Sequence, residues 1–355
     1  MIEAYGWSDA LQEEFRVHAA RGLAPGRVVI QQRGHYRIVT AEGELDATLS
    51  GRFSHEAHDG DYPVAGDWVA AAVRPSEGTA TIHNLLPRRS AFVRRAAGPA
   101  GGRQTVAANI DLALLVSSLN ADLNPRRIER YLATAYASGA DPVIVLTKAD
   151  LASGVDEQVA AVEAVAFGAP VHAVSAITGA GMTAIGALLR PGQTAALLGS
   201  SGVGKSTLVN ALAGSSRMTT RSIREDDARG RHTTTHRELV LLPSGAMLLD
   251  TPGMRELGLF DSAEGVAAGF ADIEELARAC RFGDCAHGHE PGCAIRDAIS
   301  NGTLAPERFE SFRKLQREIA FEERKEDQRA RAENRKKWAR IARDQRARRR
   351  FLGGD

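Results

Sequence analysis

The stretch TAALLGSSGVGKSTLVNALA, residues 194–213, constrains the fold more than any other part of the chain. It carries GxxxxGK[ST] complete, from Gly199 to Ser206, with an apolar run before it and a helix-like run after it. A strand that enters a glycine-rich loop and leaves as a helix curls its backbone N–H groups inward around phosphate oxygens. The helix N-terminus adds unpaired N–H groups and partial positive charge. Gly199, Ser200, Ser201, Gly202, Val203, Gly204, Lys205, Ser206 and Thr207 are therefore the candidate phosphate cradle. Lys205 is placed to reach the β- and γ-phosphates as a catalytic cation, and the Ser206 hydroxyl to hold Mg2+.

Such a loop belongs on a mostly parallel sheet, and the surrounding chain supplies one. IDLALLVSS (110–118), PVIVLTKAD (142–150), PVHAVSA (170–176), TAALLG, ELVLL and GAMLLDTPG read as strands. Helical runs at 126–140, VDEQVAAVEAVAFG, MTAIGALL and STLVNALAG separate them. Alternation of this kind predicts a doubly wound α/β domain. Before it, from Gly26 to about Arg95, the runs GRVVIQ, HYRIVT, ELDATLSGRF, AGDWVAAAVR and TATIHNLL are short and β-prone. Five short strands between turns predict a small OB-like β-barrel. RRSAFVRRAAG (88–98) is basic with one aromatic, which leans toward RNA, and GPAGGRQTV (98–106) reads as a linker. Residues 1–25 read as a partly helical or disordered lead-in.

Four short motifs stand beside the loop. Thr147-Lys148-Ala149-Asp150 follows an apolar strand, where the Asp150 carboxylate can accept both the N1–H and the N2–H of guanine. The Lys148 stem can lie across the base. Ser175-Ala176-Ile177 ends the next strand and can offer N–H to the guanine carbonyl. Asp250-Thr-Pro-Gly253 closes another, with Asp250 toward Mg2+ and the Gly253 N–H toward the γ-phosphate. GRHTTTH (230–236) supplies hydroxyls, and Thr234 and Thr235 are equal candidates for Mg2+. Each motif sits where a parallel strand ends, so all can line one crevice. Their order along the chain is unusual for a GTPase, because the guanine motifs precede the phosphate loop. A circular permutation moves the break and leaves the strand ends in place, since domain termini are often neighbours.

All three cysteines fall in CRFGDCAHGHEPGC, as Cys280, Cys285 and Cys293 around His287, spaced C-x4-C-x-H-x5-C. Three thiolates and an imidazole suit a closed structural zinc site, and an odd cysteine count argues against disulfides. Spacing alone leaves His289 as an alternative to His287. Beyond it, Phe312, Leu315 and Ile319 recur at helical spacing and are expected to pack against the zinc segment. Between Arg324 and Arg350 there are 13 Lys and Arg against 4 Asp and Glu, a net of +9 in a chain whose total is +1. A basic arm on a mildly acidic body points to a polyanionic partner. No apolar run approaches the roughly 18–20 residues of a membrane span, and MIEAYGWSDALQEEF lacks the order of a signal peptide. The expected compartment is the cytoplasm, with no membrane partner.

Barrel, permuted motifs, zinc segment and basic tail together resemble ribosome small-subunit-dependent GTPase A, the RsgA/YjeQ family. The resemblance implies five segments: an extension (1–25), an OB-like barrel (26–100), a circularly permuted GTPase domain (101–262), a helical zinc-binding domain (263–322) and a basic tail (323–355). It implies GTP hydrolysis to GDP and phosphate, with binding of the small (30S) ribosomal subunit and its 16S rRNA late in maturation. Hydrolysis is expected to be stimulated by that subunit, and the protein to be a monomer. The nucleotide would contact 147–150 and 199–207, with one structural Zn2+ on Cys280, Cys285, His287 and Cys293. Thr147 stands where many GTPases have Asn. Met254 follows DTPG where Ras-like enzymes carry a water-orienting Gln. An apolar side chain cannot orient water, so the resemblance favours His232 as the catalytic residue, with His236 its local rival. Gly202 occupies a position where potassium-stimulated relatives often carry Asn, and potassium dependence is not implied. The competing readings are a P-loop ATPase and an RNA-binding assembly factor whose nucleotide only locks a conformation.

Overall fold

The computed structural model describes residues 1–32, 34–57, 60–95, 103–120, 123–166, 168–214, 237–250 and 263–321, with 324, 328 and 335. Strands β1 (Ala24–Gln32), β2 (His35–Thr40), β3 (Gly43–Leu49), β4 (Trp68–Arg74) and β5 (Thr79–Leu85) form a barrel in the order β1-β2-β3-β5-β4. It closes because β4 pairs back onto β1. Alternate residues fill it, among them Val28, Ile38, Leu45, Ala47, Val69, Ala71 and Ile82. The expected strand ELDATLSGRF stops at Leu49, because the Ser50 hydroxyl accepts the Phe53 N–H and starts a short helix (Gly51–Glu56). The N-terminal lead-in is a cap on this barrel. Its helix α1 (Asp9–Ala19) buries Leu11 and Phe15, and Trp7 bridges the Phe15 and Trp68 rings.

RQTV, expected within a linker, belongs instead to a strand RQTVAA (Arg103–Ala108) that pairs antiparallel with Ala91–Arg95. Its small alanines carry little strand signal, yet Val106, Ala107 and Ala108 are fully buried. Arg88, counted within the basic run at 88–98, is committed elsewhere. It forks onto the Asp67 carboxylate with two bonds of 2.8 Å and also donates to the Gly60 and Tyr62 carbonyls. Asp67 is fully buried, and burial pushes its carboxyl above the usual range while Arg88 opposes that shift.

The second sheet region begins in the middle. Strand β8 (Leu112–Ser118; the two hairpin strands just given are β6 and β7) is followed by α3 (Pro125–Ser138), the short helix before it at 51–56 being α2. Then come β9 (Asp141–Thr147), α4 (Val155–Glu163), β10 (Val171–Ala173), α5 (Met182–Leu188), β11 (Thr194–Leu198), α6 (Lys205–Ala213), β12 (Arg237–Leu241) and β13 (Met247–Asp250). Their order is β10-β9-β8-β11-β13-β12, parallel except for β12. Period-2 alternation splits the interior into two layers. Leu115, Ile144, Leu146, Ala196, Leu198 and Leu249 share one with Ile128 and Leu132 of α3. Leu114, Val116, Val143, Val145, Leu197 and Leu248 share the other with Ile185 of α5 and Leu208 of α6.

Barrel and sheet are continuous through β1, which pairs with β12 at Ile30 and Gln31. Arg27 secures that junction. Its guanidinium, 1% exposed, donates to the Tyr5 carbonyl, the Asn109 carbonyl and Thr194 Oγ1, and lies 4.8 Å over the Trp68 ring. Burial lowers its pKa to about 10, so it keeps its charge at neutral pH.

The C-terminal unit consists of α7 (Ala263–Gly269), α8 (Ala271–Arg278), α9 (Ala294–Ser300) and a helix over 306–321, α10. Phe270, Ile273, Ile295 and Leu304 form its core with Phe312, Leu315 and Ile319, as their spacing predicts. Each such side chain contributes about 1.5–3 kcal/mol on burial.

Replacing Arg88 by Met keeps the volume but strands the Asp67 carboxylate. We expect a loss of about 3–5 kcal/mol in urea denaturation, the range for breaking one side of a buried pair. A change within 0.5 kcal/mol would mean that Asp67 is neutral in the folded protein.

Candidate nucleotide site

The phosphate loop leaves β11 at Leu198 and enters α6 at Lys205. Gly199 is required by contact: a Cβ there would lie 2.3 Å from the Val116 carbonyl oxygen of β8. Gly202 and Gly204 hold positive φ of 79° and 94°, conformations that L side chains resist. Gly204 is the N-cap of α6 and no side chain caps that helix end, so the first-turn N–H groups face the loop. Lys205 Nζ sits inside the curl, 2.7 Å from the Gly199 carbonyl and 2.5 Å from that of Ser200. Ser206 and Thr207 follow in the same turn, both half-buried.

Strand β9 delivers its C-terminal end to the same place. Thr147, 3% exposed, puts Oγ1 2.5 Å from the Val203 carbonyl and 3.2 Å from that of Ser117. One hydroxyl proton serves the nearer, so Thr147 ties β9 directly to the phosphate loop. The amide of an Asn is thus replaced by a hydroxyl that already holds the loop. Lys148 adopts the left-handed conformation, φ 62° and ψ 34°, rare for a non-glycine residue and a mark of an over-determined site. Its Nζ donates to the Gly202 carbonyl at 2.8 Å, carrying its stem from the β9 end to the loop. The Ala149 N–H donates to the Val174 carbonyl, and Asp150 stands exposed beside it.

Ser175 begins the turn after β10. Its hydroxyl accepts the Thr178 N–H at 3.1 Å and its own N–H donates to the Ala180 carbonyl. Ala176 is half-buried and Ile177 is 77% exposed at the turn's outer edge. Asp250 is the last residue of β13, the parallel neighbour of β11. The structure therefore brings the 147–150, 175–177 and 199–207 groups and Asp250 to one edge of one sheet. Gly253, His232, Thr234 and Thr235 lie outside the described residues, as do His236, Met254 and most of the basic tail.

One residue near this edge escaped the sequence reading. Arg127, in the first turn of α3, donates from Nη1 to Ser200 Oγ at 3.0 Å. NPRRIER signals only a capped helix start, and nothing in composition separates Arg127 from Arg126. Only helical phase does so, once the neighbours of α3 are known.

The cysteine segment forms a second centre. The ligand atoms of Cys280, Cys285, His287 and Cys293 all lie within 4.8 Å of one another. Cys280 Sγ is 3.6 Å from His287 Nδ1 and 4.0 Å from Cys293 Sγ, and Cys293 Sγ is 3.5 Å from His287 Nδ1. A tetrahedral zinc with bonds of about 2.3 Å to sulfur and 2.05 Å to nitrogen requires separations of about 3.8 Å and 3.6 Å. The donor set fits that ion. His287 reaches it through a left-handed backbone, φ 58°, in a turn whose Ala286 and Gly288 N–H groups donate to the Glu290 carboxylate. His289 is exposed and outside the cluster.

The comparisons with known proteins agree with this architecture. The RsgA GTPase family profile matches residues 85–260. A profile described as ABC transporter matches 183–347, a stretch that contains the phosphate loop. Over nearly the whole chain, a protein of Opitutus terrae described as Small ribosomal subunit biogenesis GTPase RsgA is 45% identical, with 99% of each chain covered. A Streptomyces coelicolor protein of the same description is 47% identical, covering 96% of this chain and 92% of its own. The crystal structure of YjeQ from Thermotoga maritima superposes with a TM-score of 0.65 at 27% identity, over 84% of this chain and 99% of that one. YloQ, described as a circularly permuted GTPase, shares the fold at a TM-score of 0.61 and 22% identity, over 84% and 96%. A sheet entered at β8, with the ends of β9 and β10 preceding the phosphate loop in the chain, is what such a permutation produces, and the chain belongs to the RsgA family of circularly permuted GTPases.

Proposed function

We propose that this GTPase hydrolyses GTP to GDP and phosphate as a biogenesis factor of the small ribosomal subunit, docking on 30S particles and their 16S rRNA late in assembly and accelerated by them. The observation that carries the reading is the bond from Thr147 Oγ1 to the Val203 carbonyl, which sets the base-side strand end against the phosphate loop. Asp150, exposed at the end of β9, accepts the two guanine N–H groups, and the Lys148 stem covers one face of the base. Ser175, Ala176 and Ile177 present backbone to the guanine carbonyl. The loop N–H groups and Lys205 hold the β- and γ-phosphates and stabilise the charge that spreads over the transferring group. Mg2+, when bound, neutralises phosphate oxygens, and Ser206, Asp250 and one of Thr234 and Thr235 are its protein donors. The Gly253 N–H faces the γ-phosphate, and His232, with His236 as rival, positions the attacking water that Met254 cannot. The protein works as a monomer in the cytoplasm, and among the described residues no helix is long and apolar enough to cross a membrane. Zinc on Cys280, Cys285, His287 and Cys293 is structural: four protein donors leave no open position for chemistry.

Hydrolysis of GTP and ATP, with and without purified small subunits, tests the central reading. Turnover selective for GTP and raised many-fold by the small subunit is expected, whereas ATP turned over equally well would reject a guanine site. Asp150→Asn removes a charged bidentate acceptor and offers an N–H in its place. It should weaken GTP binding by about 100-fold while improving binding of xanthosine triphosphate, whose C2 carbonyl can accept that N–H; unchanged preference would remove Asp150 from the base site. Elemental analysis should find one zinc per chain, lost in Cys285→Ser and His287→Ala and retained in His289→Ala. Retention in His287→Ala would reassign the fourth ligand.

A further inference from the structure

Helix α3 presents three different faces to three different neighbours. Ile128, Leu132 and Ala135 pack into the sheet. Arg126, Glu129, Arg130 and Ala133, spaced i, i+3, i+4 and i+7, form the stripe that meets the C-terminal unit. Arg127 lies on neither stripe and points to the phosphate loop, where its Nη1 donates to Ser200 Oγ.

The C-terminal stripe is held firmly. Arg308, 7% exposed, forks onto Asp272 with bonds of 2.5 and 2.8 Å, approaches the buried Glu129 carboxylate at 4.0 Å and covers the Phe270 ring at 4.5 Å. Arg130 Nη2 donates to both carboxylate oxygens of Glu318 of α10, at 2.9 and 2.8 Å, and Arg126 lies 3.8 Å from Glu310. Gly265 of α7 lies so close that a Cβ there would be 2.1 Å from the Ala133 carbonyl oxygen. The residues on both sides of Arg127 in the first two turns of α3 are thus gripped by the C-terminal unit.

At the loop, Ser200 is held from two directions. Its hydroxyl takes Arg127 and its carbonyl takes Lys205 Nζ. Gly199 beside it cannot move toward β8. Arg127 is therefore the lateral restraint on the segment against which Lys205 rests.

We propose that Arg127 is a positioning residue for the phosphate loop, and that the seating of the C-terminal unit on α3 sets it, so that displacement of that unit changes hydrolysis. The proposal rests on the reading of the loop as a GTP site. Side-chain tips lie about 5–6 Å from a helix axis. A rotation of α3 by about 10° would therefore carry the guanidinium about 1 Å, enough to turn a 3.0 Å hydrogen bond into none. A small change in seating at Glu129 and Arg130 is in this way large at Ser200.

The test uses the full-length zinc-loaded protein. Arg127→Ala should lower kcat about 10-fold with KM within about 3-fold, and Arg127→Lys, which can still donate one hydrogen bond, should recover much of the loss. Ser200→Ala, which removes only the acceptor, should match Arg127→Ala and stands in for it if that variant folds poorly. Arg130→Gln, which touches only the C-terminal side, should lower kcat about 3-fold and add nothing in the Arg127→Ala background. Amide hydrogen exchange at 199–204 should accelerate in Arg127→Ala, Ser200→Ala and Arg130→Gln while exchange in β9 stays constant. Wild-type kcat in Arg127→Ala, or independent multiplying effects of Arg127→Ala and Arg130→Gln, would overturn the proposal. Absence of GTP turnover by the wild type would instead overturn the functional reading, and loop exchange would still decide the role of Arg127.

Discussion

The bond between Thr147 Oγ1 and the Val203 carbonyl, at 2.5 Å, joins two groups 56 residues apart and fixes how the site is built. It exists because β8, β9 and β11 run parallel in register, Leu115 opposite both Ile144 and Leu198. Parallel neighbours end at the same edge, so whatever follows each strand arrives at one crevice. The order in which the strands occur along the chain does not enter that geometry. A chain that starts at β8 and reaches the phosphate loop late assembles the same edge as one that starts at β11.

The cost of such a site is strain and close approach, and both are supported from below. Lys148 holds a left-handed backbone, and Gly199 leaves no space against Val116. Each is tolerable only on strands buried on both faces, where the two apolar layers resist displacement. Arg27 serves the barrel junction in a comparable way. It spends its donors on the Tyr5 and Asn109 carbonyls and on Thr194, the first residue of the strand that feeds the loop. The barrel is therefore hydrogen-bonded to the root of β11 as well as paired with β12.

The C-terminal unit solves a different problem. A unit of about 60 residues buries too little surface to be secure alone. A metal ion held by the four side chains gathered within 4.8 Å would supply a staple, and docking on α3 supplies the rest through Phe270, Arg308 and Glu318. The same helix α3 that receives this unit also carries Arg127, which donates to Ser200 of the phosphate loop.

The doubly wound sheet, the barrel, the phosphate loop and the cysteine cluster were legible in the sequence because each is written in local periodicity or fixed spacing. GxxxxGK[ST] needs its glycines at those positions for the backbone to curl, and C-x4-C-x-H-x5-C needs its donors close in sequence to converge. Three kinds of feature were not legible. RQTVAA became a strand because Ala91–Arg95 lay beside it, and its alanines carry no preference strong enough to announce that. Arg88 in a basic run reads as surface charge until Asp67, 21 residues away, is found buried beneath it. Arg126 and Arg127 are indistinguishable as letters, and helical phase against two separate neighbours sends one to Glu310 and the other to Ser200. The sequence by itself determined which elements form and which groups stand at the strand ends, because those depend on near neighbours along the chain. Tertiary structure alone decided which histidine joins the three thiols, which arginine meets the loop and which acid neutralises which base, because those depend on partners that folding brings together from distant positions.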